Sequence, residues 1–282
     1  MFDLTVFLQK LSRPAIMGIV NASGESFSER GRSSADSALA RALAHLDCGA
    51  DILDIGGEST RPGAKETAKD LELNRVIPVV RNLRKVHPET VLSVDTRHGE
   101  VALAALQSGV QIINDVSMLR KSPEIADMVA EYDAALILSH SRGTPENMQS
   151  AEYCSYPDGV AETVAFELAQ AREKALQAGV KAENIILDPG FGFAKDSEQC
   201  WKLLANLEKI APLSNLMIGV SRKSFLGAVT GEIDPAKRTG ETLAVELTLA
   251  AKGVGIIRTH GVRELHSGMQ VLHKMRSEGF EI

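Results

Sequence analysis

The sequence predicts an α/β fold, a closed (β/α)8 barrel of the TIM type in a single domain, and three observations predict it. Eight short apolar runs each break off at a polar residue. Amphipathic segments at helical spacing separate the runs. The runs recur roughly every 34 residues, above the ~30 that a strand and its crossover helix need. Runs of Ile, Val and Leu without polar alternation are strands buried on both faces. An open doubly wound sheet uses the same elements, but eight units with no break in composition favour closure.

The elements follow in order. Residues 1–13 precede the first run as an N-terminal extension. Residues 15–20 lead into Asn21, 51–55 into the loop 56–63, and 91–94 into Asp95. Residues 110–113 end at Asn114 and Asp115, 135–138 at Ser139 and His140, and 185–187 at Asp188. Residues 216–220 give Ser221, Arg222 and Lys223, and 255–257 give Arg258, Thr259 and His260. A helical pattern spans 69–86 with Pro78 inside it, where a bend is expected. Val160, Val164 and Leu168 mark one helix face, with Gly179 placed to stop the helix. Val262, Leu265, Met269, Leu272 and Met275 mark another after the last strand.

Composition limits the function classes. With 31 Lys and Arg against 37 Asp and Glu, the 282-residue chain has a net charge of −6 and lacks the basic excess of nucleic-acid or anionic-membrane binders. Three distant cysteines, Cys48, Cys154 and Cys200, suggest neither a disulfide framework nor a thiolate zinc site. No apolar run reaches the ~18 residues of a membrane span, and Asp3 stands where a signal peptide is basic. The expectation is a soluble, cytoplasmic protein without nucleic-acid or membrane partners.

In such a barrel the C-terminal strand ends form the active face. A single polar strand end is ordinary turn chemistry, but polar ends on nearly every strand converge on one mouth. Their charges also segregate. Strands three, four and six bring Asp95, Asn114, Asp115 and Asp188, whereas strands seven and eight bring Arg222, Lys223, Arg258 and His260. Cations after strands seven and eight are where barrels often hold phosphate. Carboxylates accept paired N–H donors, as on the edge of an amino-pyrimidinone-like heterocycle. The expected ligand therefore joins such a ring to a diphosphate. No P-loop and no H-E-x-x-H motif is present.

Six stretches, in order along the chain, carry a resemblance. They are Ile55-Gly-Gly-Glu-Ser-Thr-Arg-Pro-Gly63, Ser93-Val-Asp-Thr96, Ile112-Ile-Asn-Asp115, Leu187-Asp-Pro-Gly-Phe-Gly-Phe193, Ser221-Arg-Lys-Ser224 and Ile257-Arg-Thr-His260. Together they resemble the dihydropteroate synthases from about residue 14 onward. The resemblance implies a homodimeric barrel that joins 6-hydroxymethyl-7,8-dihydropterin diphosphate to 4-aminobenzoate with Mg2+, releasing pyrophosphate. It implies that Asp95, Asn114, Asp188 and Lys223 hold the pterin. It places Asn21, Arg258 and His260 at the diphosphate, with Asn21 also on Mg2+, and implies a catalytic part for Lys223, Arg258, His260 and Asn21. Thr60, Arg61, Pro62, Phe27, Phe193 and Ser224 are implied on the aminobenzoate side.

One loop departs from the family pattern. Asn21-Ala-Ser-Gly-Glu-Ser-Phe-Ser-Glu-Arg-Gly31 has Ser23–Gly24 where Thr-Pro is usual, and Glu25 and Glu29 where Asp is usual. Two other readings stay open on sequence: a methyltetrahydrofolate-dependent methyltransferase type of pterin-binding barrel, and a pterin-binding pseudoenzyme.

Overall fold

The computed structural model describes residues 2–23 and 34–280. Among these, eight parallel strands close into one barrel in chain order: β1 Ala15–Asn21, β2 Ile52–Gly56, β3 Val91–Asp95, β4 Ile112–Asp115, β5 Ala135–Ser139, β6 Ile185–Asp188, β7 Asn215–Ile218 and β8 Ile256–Thr259. Closure is made by β1 against β8, Ala15 opposite Ile256 and Met17 opposite Arg258. The helices are α1 Leu4–Gln9, α2 Ser34–Asp47, α3 Lys69–Val86, α4 Gly99–Gln107, α5 Ile125–Glu131, α6 Val160–Gln177, α7 Ser197–Ala205, α8 Ser224–Thr230, α9 Thr239–Ala251 and α10 Val262–Ser277. Helix α3 continues through Pro78, and α6 ends before Gly179, whose φ is +95°.

Strand alternation sorts the barrel interior into layers. Met17, Ile52, Val91, Ile112, Ile186 and Ile256 belong to a buried apolar cluster at the N-terminal end. Two residues further along the same strands stand Asp54, Ser93, Asn114, Asp188 and Arg258. Four residues along stand Gly56, Asp95 and His260. The interior thus changes from apolar to charged within about two strand residues, ~7 Å. Outward-facing Ile16, Leu53, Leu92, Ile113, Leu136 and Ile257 join the second, larger core beneath the helices.

The N-terminal extension closes the apolar end. Asp3 caps α1 by accepting from the Val6 N–H at 2.9 Å. Leu4 is wholly buried against the lower cluster, with Phe2, Phe7, Leu8 and Leu11 packed beside it. Asn184 ties the plug down: its Oδ1 accepts from the Leu4 N–H at 3.1 Å, and its Nδ2 donates to the Phe2 carbonyl at 3.2 Å.

Candidate active site

Apart from Asp188, the polar layer is one hydrogen-bonded network with Arg258 at its centre. Arg258 lies within β8, so its side chain rises inside the barrel instead of from a loop. Its Nε donates to Asp54 Oδ2 at 2.6 Å and its Nη2 to Asp95 Oδ2 at 2.8 Å. Asp54, fully buried, also accepts from Ser93 Oγ at 2.6 Å and Asn114 Nδ2 at 3.1 Å. Asn114 Oδ1 accepts in turn from Ser139 Oγ at 3.4 Å. Strand register makes these meetings possible, since Asp95 pairs with Asn114 on β4 and Asp54 with Ser93 on β3.

One guanidinium serves two carboxylates. Burial pushes Asp95 above the usual carboxylate range; Arg258 opposes that shift and Asp54 adds to it. Among the described residues, Asp54 and Asp95 engage Arg258 through Nε and Nη2 and leave Nη1 without a hydrogen-bond partner.

Lys223, at the N-terminus of α8, reaches across to the β6–α7 loop. Its Nζ donates to the Phe191 carbonyl and lies 4.4 Å from the Phe193 ring centroid. Burial lowers its pKa, against the attraction of nearby Asp188. Asp188 shapes the same loop, accepting from the Gly190 N–H at 2.9 Å. Gly190 has φ +67°, and a Cβ there would lie 1.8 Å from the His140 carbonyl oxygen, so only glycine fits.

His260 sits beside the mouth with its Nδ1 3.0 Å from Ser221 Oγ. Burial, together with Arg222, Arg258 and Arg61, holds it down at about 3. It is therefore neutral near pH 7 in the free protein, and the fixed positive charge on β8 comes from Arg258. Asn21 ends β1 in the same inward-facing series as Met17, and its side chain is half-buried.

On the opposite side, Thr60 and Phe193 border a cavity of about 20 Å3 with Arg97, Ser117 and Ser141. That volume holds a water and not an aromatic acid. Arg61, Pro62 and Ser224 are exposed. The loop carrying Thr60 and Arg61 is anchored at both ends. Arg97 grips Glu58 through two nitrogens, at 2.9 and 3.0 Å, and Glu58 accepts from the Thr67 N–H at 2.8 Å. Phe27, with Glu25 and Glu29, lies outside the described residues.

Two strand-end residues do not enter the mouth. Asp115 is fully buried and caps a turn, accepting from the Ser117 and Leu119 N–H groups at 2.7 and 2.6 Å. His140 is sealed beneath the β6–α7 loop. Sequence reasoning missed Asp54, which it had placed inside an apolar run. The available signal was a charge in the middle of a strand buried on both faces, which requires a partner. A larger hollow, about 640 Å3, lies at the other end between α1 and α10, and none of the polar residues at the mouth borders it.

Comparison with known proteins identifies the family. Residues 17–260 match the family described as pterin binding enzyme. The dihydropteroate synthase of Synechocystis sp. is 40% identical over 255 residues, covering 90% of this chain and 87% of the relative. The folic acid synthesis protein fol1 of Schizosaccharomyces pombe is 37% identical over 92% of this chain, which spans only 36% of that longer protein. The solved structure of Xanthomonas albilineans dihydropteroate synthase with 4-aminobenzoic acid superposes with a TM-score of 0.87 at 36% identity, covering 94% of both chains. The chain belongs to the dihydropteroate synthase family of pterin-binding enzymes.

Proposed function

We propose that the chain joins 6-hydroxymethyl-7,8-dihydropterin diphosphate to 4-aminobenzoate, giving 7,8-dihydropteroate and pyrophosphate. The observation that carries this reading is the buried Asp54–Arg258–Asp95 network at the C-terminal end of the barrel, with Lys223 opposite. Asp95, Asn114 and Asp188 take the ring-edge N–H donors of the pterin, and Lys223 holds the ring from the β6–α7 side. The free edge of Arg258, with neutral His260 as a hydrogen-bond donor, meets the diphosphate. The C–O bond to the diphosphate breaks, and its electron pair leaves on pyrophosphate. The aminobenzoate nitrogen then bonds to the pterin methylene carbon and gives up a proton. The protein stabilises the leaving group and supplies no nucleophile of its own. Thr60, Arg61, Pro62, Phe27, Phe193 and Ser224 form the aminobenzoate side.

Mg2+ fits the residues present. Among the described residues no cluster of His, Cys, Asp and Glu could hold a metal alone. A cation held by one amide oxygen, diphosphate oxygens and water is ordinary Mg2+ chemistry, and Asn21 offers that oxygen at the mouth. Bound there, Mg2+ would neutralise charge on the departing pyrophosphate. The expected effect of chelation by EDTA is loss of pyrophosphate release with binding of a phosphate-free pterin retained. The same reading makes the protein a cytoplasmic homodimer, for which light scattering at twice the 30.3 kDa chain mass is the check.

The deciding experiment is pyrophosphate release by purified protein with Mg2+ and both substrates. Release that requires aminobenzoate supports the reading; no release from correctly folded protein refutes it.

A further inference from the structure

Lys195 is 2% exposed and follows the loop that carries Phe191 and Phe193. Burial brings Lys195 down to about 7, and three acceptors surround its Nζ, as many as the protonated amine has donors. Its Nζ lies 3.1 Å from the Gly190 carbonyl, 3.0 Å from the Phe193 carbonyl and 2.8 Å from His140 Nδ1. The imidazole accepts because its other nitrogen, Nε2, donates to Glu167 at 3.0 Å. Glu167 is ionised: against the opposing effect of burial, His140 and Arg142 hold it at about 2. A chain of contacts therefore runs from α6 through His140 and Lys195 into the loop.

The two carbonyls that Lys195 binds flank Phe191. The Phe191 carbonyl accepts from Lys223, and the Phe193 ring lies against the same ammonium. Lys195 thus fixes both groups that fix Lys223, without facing the mouth itself. Resting on the pterin-binding reading above, we propose that Lys195 is a positioning residue that sets Lys223 for the pterin through the β6–α7 loop.

A neighbouring contact provides the control. Tyr156 Oη donates to the Ala194 carbonyl at 2.9 Å, so it also ties the loop down, but one residue beyond Phe193 and through neither of the carbonyls that Lys195 holds. Calorimetric titration with a pterin lacking phosphates compares wild type, Lys195→Met and Tyr156→Phe. Lys195→Met should bind about tenfold more weakly, the scale of one charge-assisted hydrogen bond, while Tyr156→Phe stays within about twofold. Wild-type affinity in folded Lys195→Met, or equal losses in both variants, would overturn the inference. Failure of the wild type to bind any pterin refutes the functional reading instead. Hydrogen exchange on wild type tests the same idea without a variant. Residues 189–196 should be protected before ligand is added, and exchange that slows only on pterin binding contradicts the inference.

Discussion

Replacing Arg258 by lysine keeps the charge and removes the fork. The guanidinium reaches Asp54 through Nε at 2.6 Å and Asp95 through Nη2 at 2.8 Å; a single ammonium on a shorter stem cannot span both carboxylates in this geometry. At least one charge-assisted hydrogen bond is lost, about 1.5–3 kcal/mol. A buried carboxylate left without its partner raises the ceiling to the ~3–5 kcal/mol of broken buried pairs. The sign of the pH dependence follows. Asp95 is already pushed up by burial and by Asp54, with Arg258 opposing. Weakening Arg258 raises it further, so the variant takes up a proton and its stability deficit shrinks as pH falls from 8 to 6. Burial, opposed by Arg258, already sets Asp95 at about 8 in the free protein, so a ring edge that needs an acceptor must draw that proton off, and weakening Arg258 makes this harder. Denaturant unfolding at both pH values should show a deficit of about 2–3 kcal/mol at pH 8 and less at pH 6. Steady-state pyrophosphate release should show kcat/KM for the pterin diphosphate falling about 100-fold. A deficit under ~0.5 kcal/mol at pH 8 together with kcat/KM within about twofold would refute the network as the organising feature of the site.

Other outcomes follow from single contacts. Asp95→Asn should weaken binding of a phosphate-free pterin at least about tenfold, because the amide offers a donor to a ring-edge donor; calorimetry on folded protein measures this. His140 is held neutral, down at about 3, by burial and by the Lys195 charge, whereas in the unfolded chain it takes up a proton near pH 6.5. Between those values acid favours unfolding, so His140→Gln should lose less stability than wild type, by roughly 1 kcal/mol between pH 6.5 and 5.5 in urea melts. Leu4→Ala opens a cavity under the barrel and should cost about 2–4 kcal/mol, with kcat unchanged in the folded fraction.

The fold was legible because each strand is an uninterrupted apolar run and each crossover helix has a 3.6-residue stripe. The strand ends were read less well. The apolar pattern stops at 257 on the last strand, yet pairing continues through Thr259 and carries Arg258 into the barrel. Asp95, Asp115, Ser139 and Asp188 likewise belong to their strands. Backbone pairing is indifferent to side-chain polarity once the inward positions find partners, so on these strands hydrophobicity underestimates how far the strand extends, whereas the apolar run 216–220 overshoots β7, which pairs only to Ile218. Asp54 was hidden for the related reason that its partners, Ser93, Asn114 and Arg258, come from three different strands. Lys195 gave no periodic signal; only the folded loop brings Gly190, Phe193 and His140 around it. Composition could not reveal that His260 is neutral, because that depends on burial and on arginines brought close by folding.

On the proposed function, strands of the barrel assemble one pterin site above an apolar floor. A crystal structure of the protein with a phosphate-free pterin tests it most directly. The ring is expected inside the C-terminal mouth, its N–H edge on Asp95, Asn114 and Asp188, with Lys223 within hydrogen-bond reach. A pterin bound elsewhere, for instance in the hollow between α1 and α10, with the Asp54–Arg258–Asp95 network untouched, would contradict it.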